Sequence, residues 1–190
     1  MLPKIYLVRH GETAWTISGM HTGHTDIPLT KQGESAAQAL NVKLHNSNIL
    51  KVFSSPLQRA RQTAGLAGFG ECVEIDNNLR EWDYGDYEGQ RTLDIRGERP
   101  NWRLFEDGCP NGETLEEVAK RADLVISRIR LLNSNILIFA HRDILRIVIA
   151  RWIGLNAVEA RRLHLATASL SVLGYDHDLD EPVILVLNDE

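Results

Sequence analysis

Two short apolar runs, residues 4–9 and 135–140, both end in a histidine beside an arginine, and no other feature restricts the fold as much. The first reads Leu7-Val8-Arg9-His10-Gly11 and the second Leu137-Ile138-Phe139-Ala140-His141-Arg142. Near-continuous apolar runs of this length suit strands buried on both faces, as in parallel sheets covered by helices. Ligands of open α/β sheets bind outside the carboxyl ends of the strands, so the two imidazoles, 131 residues apart, are expected at one edge. One histidine after a strand is usually structural; two, each with an arginine neighbour, point to a shared pocket. Histidine is a nucleophile only when neutral, and a fixed guanidinium both favours neutral imidazole and binds an oxyanion bidentately. The combination points to chemistry on a phosphate.

The rest of the chain fits that frame. Residues 10–29 read as a long polar loop, of a length that is usually functional. Thr30 caps a helix with Ala36, Ala37, Leu40 and Leu44 at helical spacing. Strand 50–54 is followed, after Pro56, by a helix through about Ala67, and 72–75 is a short strand. Residues 77–112 are irregular, with a short helix at 93–97, and read as a flap over the site. Thr114 and Glu117 form a capping box for a helix striped by Val118, Ala122, Val125, Ile129 and Leu132. A helix at 144–153 is closed by Gly154, and 169–175 with 182–187 read as a hairpin. Strand–helix alternation predicts an α/β three-layer sandwich: a mostly parallel central sheet, helices on both faces and some antiparallel edge. The 190 residues are expected to form one domain.

A net charge of −5 argues against nucleic acid or an anionic membrane as partner, so an anionic substrate needs a local cluster of arginines. Cys72 and Cys109 are too few for a disulfide framework or zinc site and are expected to be buried or half-buried thiols. Met1-Leu2-Pro3-Lys4 leads straight into a strand, and no apolar run approaches membrane-spanning length, so a cytoplasmic location is expected.

Two further segments carry chemistry. Ser54-Ser55-Pro56-Leu57-Gln58-Arg59-Ala60-Arg61-Gln62-Thr63 passes from strand to helix and aims backbone N–H groups at the sheet edge. Arg59 lies early in that helix, Arg61 reads as a surface cation, and Thr63 as a supporting hydrogen-bond partner. In Leu79-Arg80-Glu81-Trp82-Asp83-Tyr84-Gly85-Asp86-Tyr87-Glu88-Gly89, a carboxyl group among aromatics near a phosphate resists ionisation and suits a proton donor. Glu81, Asp83, Asp86 and Glu88 compete for that role, and sequence chemistry alone does not choose.

Arg9-His10-Gly11, the 55–63 block, Glu81 in its Leu-Arg-Glu-Trp-Asp-Tyr-Gly setting and Ala140-His141 together resemble the histidine phosphatase, or phosphoglycerate mutase-like, superfamily. The resemblance spans nearly the whole chain. Within the superfamily, residues 80–89 and Asp107-Gly108-Cys109-Pro110-Asn111-Gly112-Glu113-Thr114 are most similar to the sedoheptulose-1,7-bisphosphatase branch and its small broad-specificity relatives. It implies a phosphomonoesterase acting on small phosphorylated metabolites, such as sugar phosphates or bisphosphates. His10 is the implied nucleophile, forming phosphohistidine, and Glu81 the general acid and base. Arg9, Arg59 and His141 hold the phosphoryl oxygens, and no metal or other cofactor is implied. His21, Thr22 and Tyr84 are assigned to the substrate shell by the same resemblance.

Two positions depart from the family pattern. Thr16 stands where many members carry Asn, and Arg142 where many carry Gly. The first still offers one hydroxyl donor. Arg142 either turns away toward Asp143 or adds a cation at the pocket rim, the latter favouring a substrate with two phosphates. A mutase of the same family is the main alternative, although this chain leaves little room for the insertions that close mutase sites. A non-catalytic binding protein is disfavoured because every catalytic position is filled. A metal hydrolase would rest on His21-x-x-His24 with Asp26, a weak spacing in a glycine-rich loop.

Overall fold

The structure, a computed structural model, describes residues 2–190. One sheet holds β1 (Ile5–Arg9), β2 (Lys51–Ser54), β3 (Val73–Ile75), β4 (Ile136–Ala140), β5 (Leu170–Tyr175) and β6 (Pro182–Asp189). Their spatial order is β3-β2-β4-β1-β5-β6. The first four of that order run parallel; β5 is antiparallel to β1, and β6 to β5. The mostly parallel sheet and its antiparallel hairpin edge are those expected from the element order.

Seven α-helices surround the sheet among the described residues: α1 (Ala14–Ser18), α2 (Lys31–Leu44), α3 (Gln58–Leu66), α4 (Thr92–Glu98), α5 (Leu104–Asp107), α6 (Leu115–Leu132) and α7 (Arg142–Trp152). Successive strand residues face opposite ways, which sorts the strands' apolar side chains into two cores. Ile5, Leu7, Phe53, Ile136 and Ile138 pack with α6 and α7, while Val8, Val52, Leu137 and Phe139 pack with α2 and α3. All five residues of β4 are buried, each large side chain contributing about 1.5–3 kcal/mol by leaving water. This is a three-layer sandwich with helices on both faces. Among the described residues no helix is long and apolar enough to cross a membrane.

The caps read from sequence are formed. Thr30 accepts from the Gly33 amide at 3.0 Å, and Thr114 and Glu117 make their reciprocal pair at 3.2 and 2.8 Å. Gly11 and Gly33 have a shared purpose: a Cβ on Gly11 would lie 2.6 Å from the Gly33 carbonyl oxygen. Without side chains there, the turn after His10 rests on the first turn of α2.

Several expectations need correction. The 10–29 loop contains α1, closed by a reciprocal Thr13–Thr16 cap and by Gly19 at φ 77°. That five-residue helix has no buried residue, so it leaves no apolar period to read. The flap carries two short helices, α4 and α5, instead of one. Helix α7 starts at Arg142, two residues early, because His141 is its N-cap. Leu132 is 37% exposed at the end of α6, and Ile126 takes a place in the stripe instead. Cys72 is exposed, because its turn lies at the sheet margin just before edge strand β3; Cys109 is half-buried.

Candidate active site

The two histidines meet because β1 and β4 are parallel neighbours in register, with Arg9 opposite Ala140. The next residue of each strand is the histidine, and the His10 amide donates to the Ala140 carbonyl at 3.0 Å. The rings stand edge-to-face with centroids 5.1 Å apart. On the other side of β4, Ser54 pairs with Phe139, which brings Ser55 and the start of α3 to the same edge.

Hydrogen bonding fixes both tautomers. The Gly11 carbonyl lies 2.7 Å from His10 Nδ1, so that nitrogen carries the proton and neutral His10 has a bare Nε2. Burial first, then the charges of Arg59 and Arg9, hold the His10 pKa well below the usual imidazole value. Arginine only donates, so the 3.1 Å bond from Arg59 Nε leaves His141 Nδ1 without a proton. Neutral His141 therefore carries its proton on Nε2, which donates to Ser55 Oγ at 2.7 Å. Burial and the charge of Arg59 also lower the His141 pKa strongly.

Arg59 has no exposed surface. Besides His141, it donates to the carbonyls of Thr25 at 2.9 Å, Thr22 at 3.1 Å and Gly23 at 2.9 Å. Four of its five N–H groups are thus engaged, and it clamps the 22–25 loop against α3. Thr63 supports it from behind, donating to the Arg59 carbonyl and accepting from the Gly11 amide. Arg9 is held by a 2.6 Å bond to the Leu165 carbonyl, while its Nε is buried without a partner. Burial, then repulsion from Arg142, lowers its pKa to about 10, still charged at neutral pH.

Of the four competing acids, Glu81 is the one that lines the cleft beside His10. Its carboxylate meets the N-terminus of α7. Oε1 accepts from the amides of Trp82 at 3.0 Å, Asp143 at 3.2 Å and Ile144 at 3.0 Å, whereas Oε2 accepts only from Asp143 at 3.0 Å. Burial and the nearby Asp143 charge raise its pKa, and those amide bonds partly oppose the rise. Oε2, with one amide bond against three on Oε1, is the oxygen freer to take up or release a proton. Asp83, Asp86 and Glu88 instead bind backbone or side-chain groups away from the cleft, Glu88 accepting from Gly23 and Thr25.

Arg9, His10, His21, Thr22, Glu81 and Tyr84 line a cleft of about 510 Å³, open solvent at its mouth included, together with Thr16 and Arg142. Arg59 and His141 stand behind His10 and do not line it. Thr16 faces the cleft, but its hydroxyl donates to the Thr13 carbonyl at 2.8 Å, so the expected free donor is already used. Both readings of Arg142 hold at once: it makes 3.2 Å bonds to each Asp143 oxygen and still borders the cleft. His21 packs 4.8 Å from Tyr84, whose hydroxyl donates to Asp143 at 2.7 Å. His21, His24 and Asp26 do not gather as a ligand set; Asp26 caps Gln58 instead.

Sequence reasoning missed Ser55 as the partner of His141, Trp15 and Thr92 on the cleft wall, and Asp143. Asp143 has no exposed surface and takes bonds from Tyr84, Arg142 and Arg146. Burial opposes its charge, but the two guanidiniums outweigh that and lower its pKa. An acidic residue in the first turn of a helix whose other charged residues are Arg142, Arg146 and Arg151 was the available signal.

A parallel-sheet edge carrying a neutral imidazole, an acid with a raised pKa and buried guanidiniums defines an α/β enzyme built for an anionic ester. Residues 5–190 match the histidine phosphatase superfamily (branch 1), to which the chain belongs as a phosphoric monoester hydrolase. An acid phosphatase of Mycobacterium tuberculosis is 36% identical over 188 residues, covering 97% of this chain and 92% of its own. Sedoheptulose 1,7-bisphosphatase of Saccharomyces cerevisiae is 37% identical over 211 aligned residues, covering 94% of this chain and 77% of its own. A solved structure of an open reading frame from Mycobacterium tuberculosis superposes with TM-score 0.92 at 35% identity, covering 98% and 97% of the two chains.

Proposed function

We propose that this chain hydrolyses small phosphorylated metabolites, sugar phosphates or bisphosphates among them, through a phosphohistidine on His10. The observation that carries the reading is the His10 tautomer: Nδ1–H is tied to the Gly11 carbonyl, which leaves the Nε2 lone pair for phosphorus. In the first step Nε2 attacks in line and the P–O ester bond breaks. Glu81 gives its Oε2 proton to the leaving alkoxide, then takes a proton from the water that releases phosphate. Arg9 offers its unpartnered Nε to a phosphoryl oxygen. Arg59 acts as a buried charge behind the site and through His141, whose Nε2–H is available once Ser55 Oγ is exchanged for a phosphoryl oxygen. His21, Thr22, Tyr84 and Arg142 contact the rest of the substrate, and Thr16 shapes the wall through α1. Residues 1–190 act as one domain, with 77–112 as the cap that brings in Glu81, Tyr84 and Thr92. The setting is cytoplasmic and the partners are small molecules, without nucleic acid or membrane.

His10→Ala tests this directly. It abolishes hydrolysis of p-nitrophenyl phosphate and the acid-labile, alkali-stable label left by a phosphorylated substrate. Label retained on the variant would remove His10 as nucleophile. Transfer of phosphate to an added alcohol in preference to water would favour the mutase alternative.

A further inference from the structure

Beside the cleft lies a second cavity of about 900 Å³, open solvent at its mouth included, for which the hydrolytic steps have no use. Its walls carry Arg96, Arg103, Arg142, Arg146, Arg161 and Arg162, and its floor is the buried Trp102, Leu104 and Phe105. His21, Thr92 and Arg142 line both cavities, which makes them contiguous.

The charge of this wall opposes that of the molecule, whose net charge is −5. Three carboxylates are shared among five of the arginines. Asp143 pairs with Arg142 at 3.2 Å and Arg146 at 2.7 Å; Glu106 pairs with Arg103 at 3.4 Å and Arg161 at 3.3 Å; Glu159 pairs with Arg162 at 2.7 Å and Arg161 at 3.9 Å. Arg96 donates to the Trp102 carbonyl and has no carboxylate partner among the described residues. Six guanidiniums against three carboxylates leave an excess of three positive charges in one concave surface. Every cation is arginine, whose planar fork matches phosphate or carboxylate oxygens, and no lysine takes part. Arg146 is braced over the Phe105 ring at 4.7 Å, and Arg142 keeps 41% of its side chain exposed.

We propose that this cavity is a second anion subsite, so that the preferred substrate carries two anionic groups. One ester phosphate meets His10 while a distal phosphate or carboxylate meets the arginine wall. The apolar floor takes the carbon skeleton between them. Arg142, common to both cavities, sets the boundary. The inference rests on the phosphatase reading above and names its substrate class.

The test uses linear diol bisphosphates of increasing chain length, each compared with the monophosphate of the same diol. At the best-fitting length, kcat/KM for the bisphosphate exceeds that of the monophosphate by about tenfold or more, the worth of one charge-assisted contact. In Arg103→Gln/Arg161→Gln that ratio falls toward one, chiefly through KM, and the corresponding double Lys variant recovers part of it. A wild-type ratio near one at every length, or a ratio that survives the double Gln variant, overturns the subsite. If those results come with His10-dependent hydrolysis of p-nitrophenyl phosphate, the phosphatase reading stands alone. Failure to hydrolyse any ester overturns both.

Discussion

Glu81→Gln separates the proton from the scaffold. In the wild type, Oε1 takes three amide bonds at 3.0–3.2 Å and Oε2 takes one. A glutamine oxygen in the Oε1 position keeps all three, while the amide nitrogen in the Oε2 position gives up the bond from the Asp143 N–H, which still reaches the other oxygen at 3.2 Å. The variant is therefore expected to fold, without a general acid. Loss of that proton costs alkyl phosphates about 10²–10⁴ in kcat, or about 2.7–5.4 kcal/mol of barrier. An aryl phosphate, whose phenolate leaves with little protonation, is expected to slow less than about tenfold. Stability supplies a second readout with a definite sign. Burial and Asp143 raise the folded pKa of Glu81, so the folded state holds the proton more tightly than the unfolded chain. Its contribution is present at low pH and is lost as pH rises from the ordinary carboxylate range through the raised value. The variant lacks that loss, so its stability relative to wild type increases with pH across this window. Steady-state kinetics on paired alkyl and aryl esters, with urea denaturation at several pH values, measure both. Equal slowing of the two ester types would refute the acid assignment, and a variant whose stability relative to wild type falls with rising pH would refute the electrostatic argument.

Other outcomes follow from the same geometry. Asp143→Asn leaves Arg142 and Arg146 without their carboxylate. The expected cost is about 3 kcal/mol, the low end for a broken buried pair because Arg142 is half exposed, or about 6–12 °C in Tm by calorimetry. The His10 pKa lies below the ordinary imidazole value, so hydrolysis of an aryl ester persists at acid pH well under 6.5; a kcat/KM profile falling with midpoint at that value would contradict it. If, as proposed, Arg9 and Arg59 supply the positive charge and neutral His141 a hydrogen-bond donor, EDTA treatment leaves p-nitrophenyl phosphate hydrolysis unchanged; loss restored by a divalent ion would revive the metal alternative.

The amino-acid order alone determined what is local. Continuous apolar runs marked β1 and β4, the Thr114–Glu117 pair marked the start of α6, and His10, His141 and Arg59 were visible as chemistry at element ends. Tertiary structure decided what depends on elements meeting. Glu81 differs from Asp83, Asp86 and Glu88 by little in sequence; the N-terminus of α7 reaches it and not them, which sets its bonds and its proton affinity. Arg59, early in its helix, was expected by resemblance to hold phosphoryl oxygens, yet the returning 22–25 loop takes up most of its donors. Arg142 offered two exclusive roles in the chain and fills both in space, because its guanidinium has more donors than Asp143 can use. The arginine wall was invisible for the same reason: its members come from α4, the turn before α5, α7 and the 157–162 turn. Charge density is a property of a surface, and only folding makes one from residues so distant in the chain.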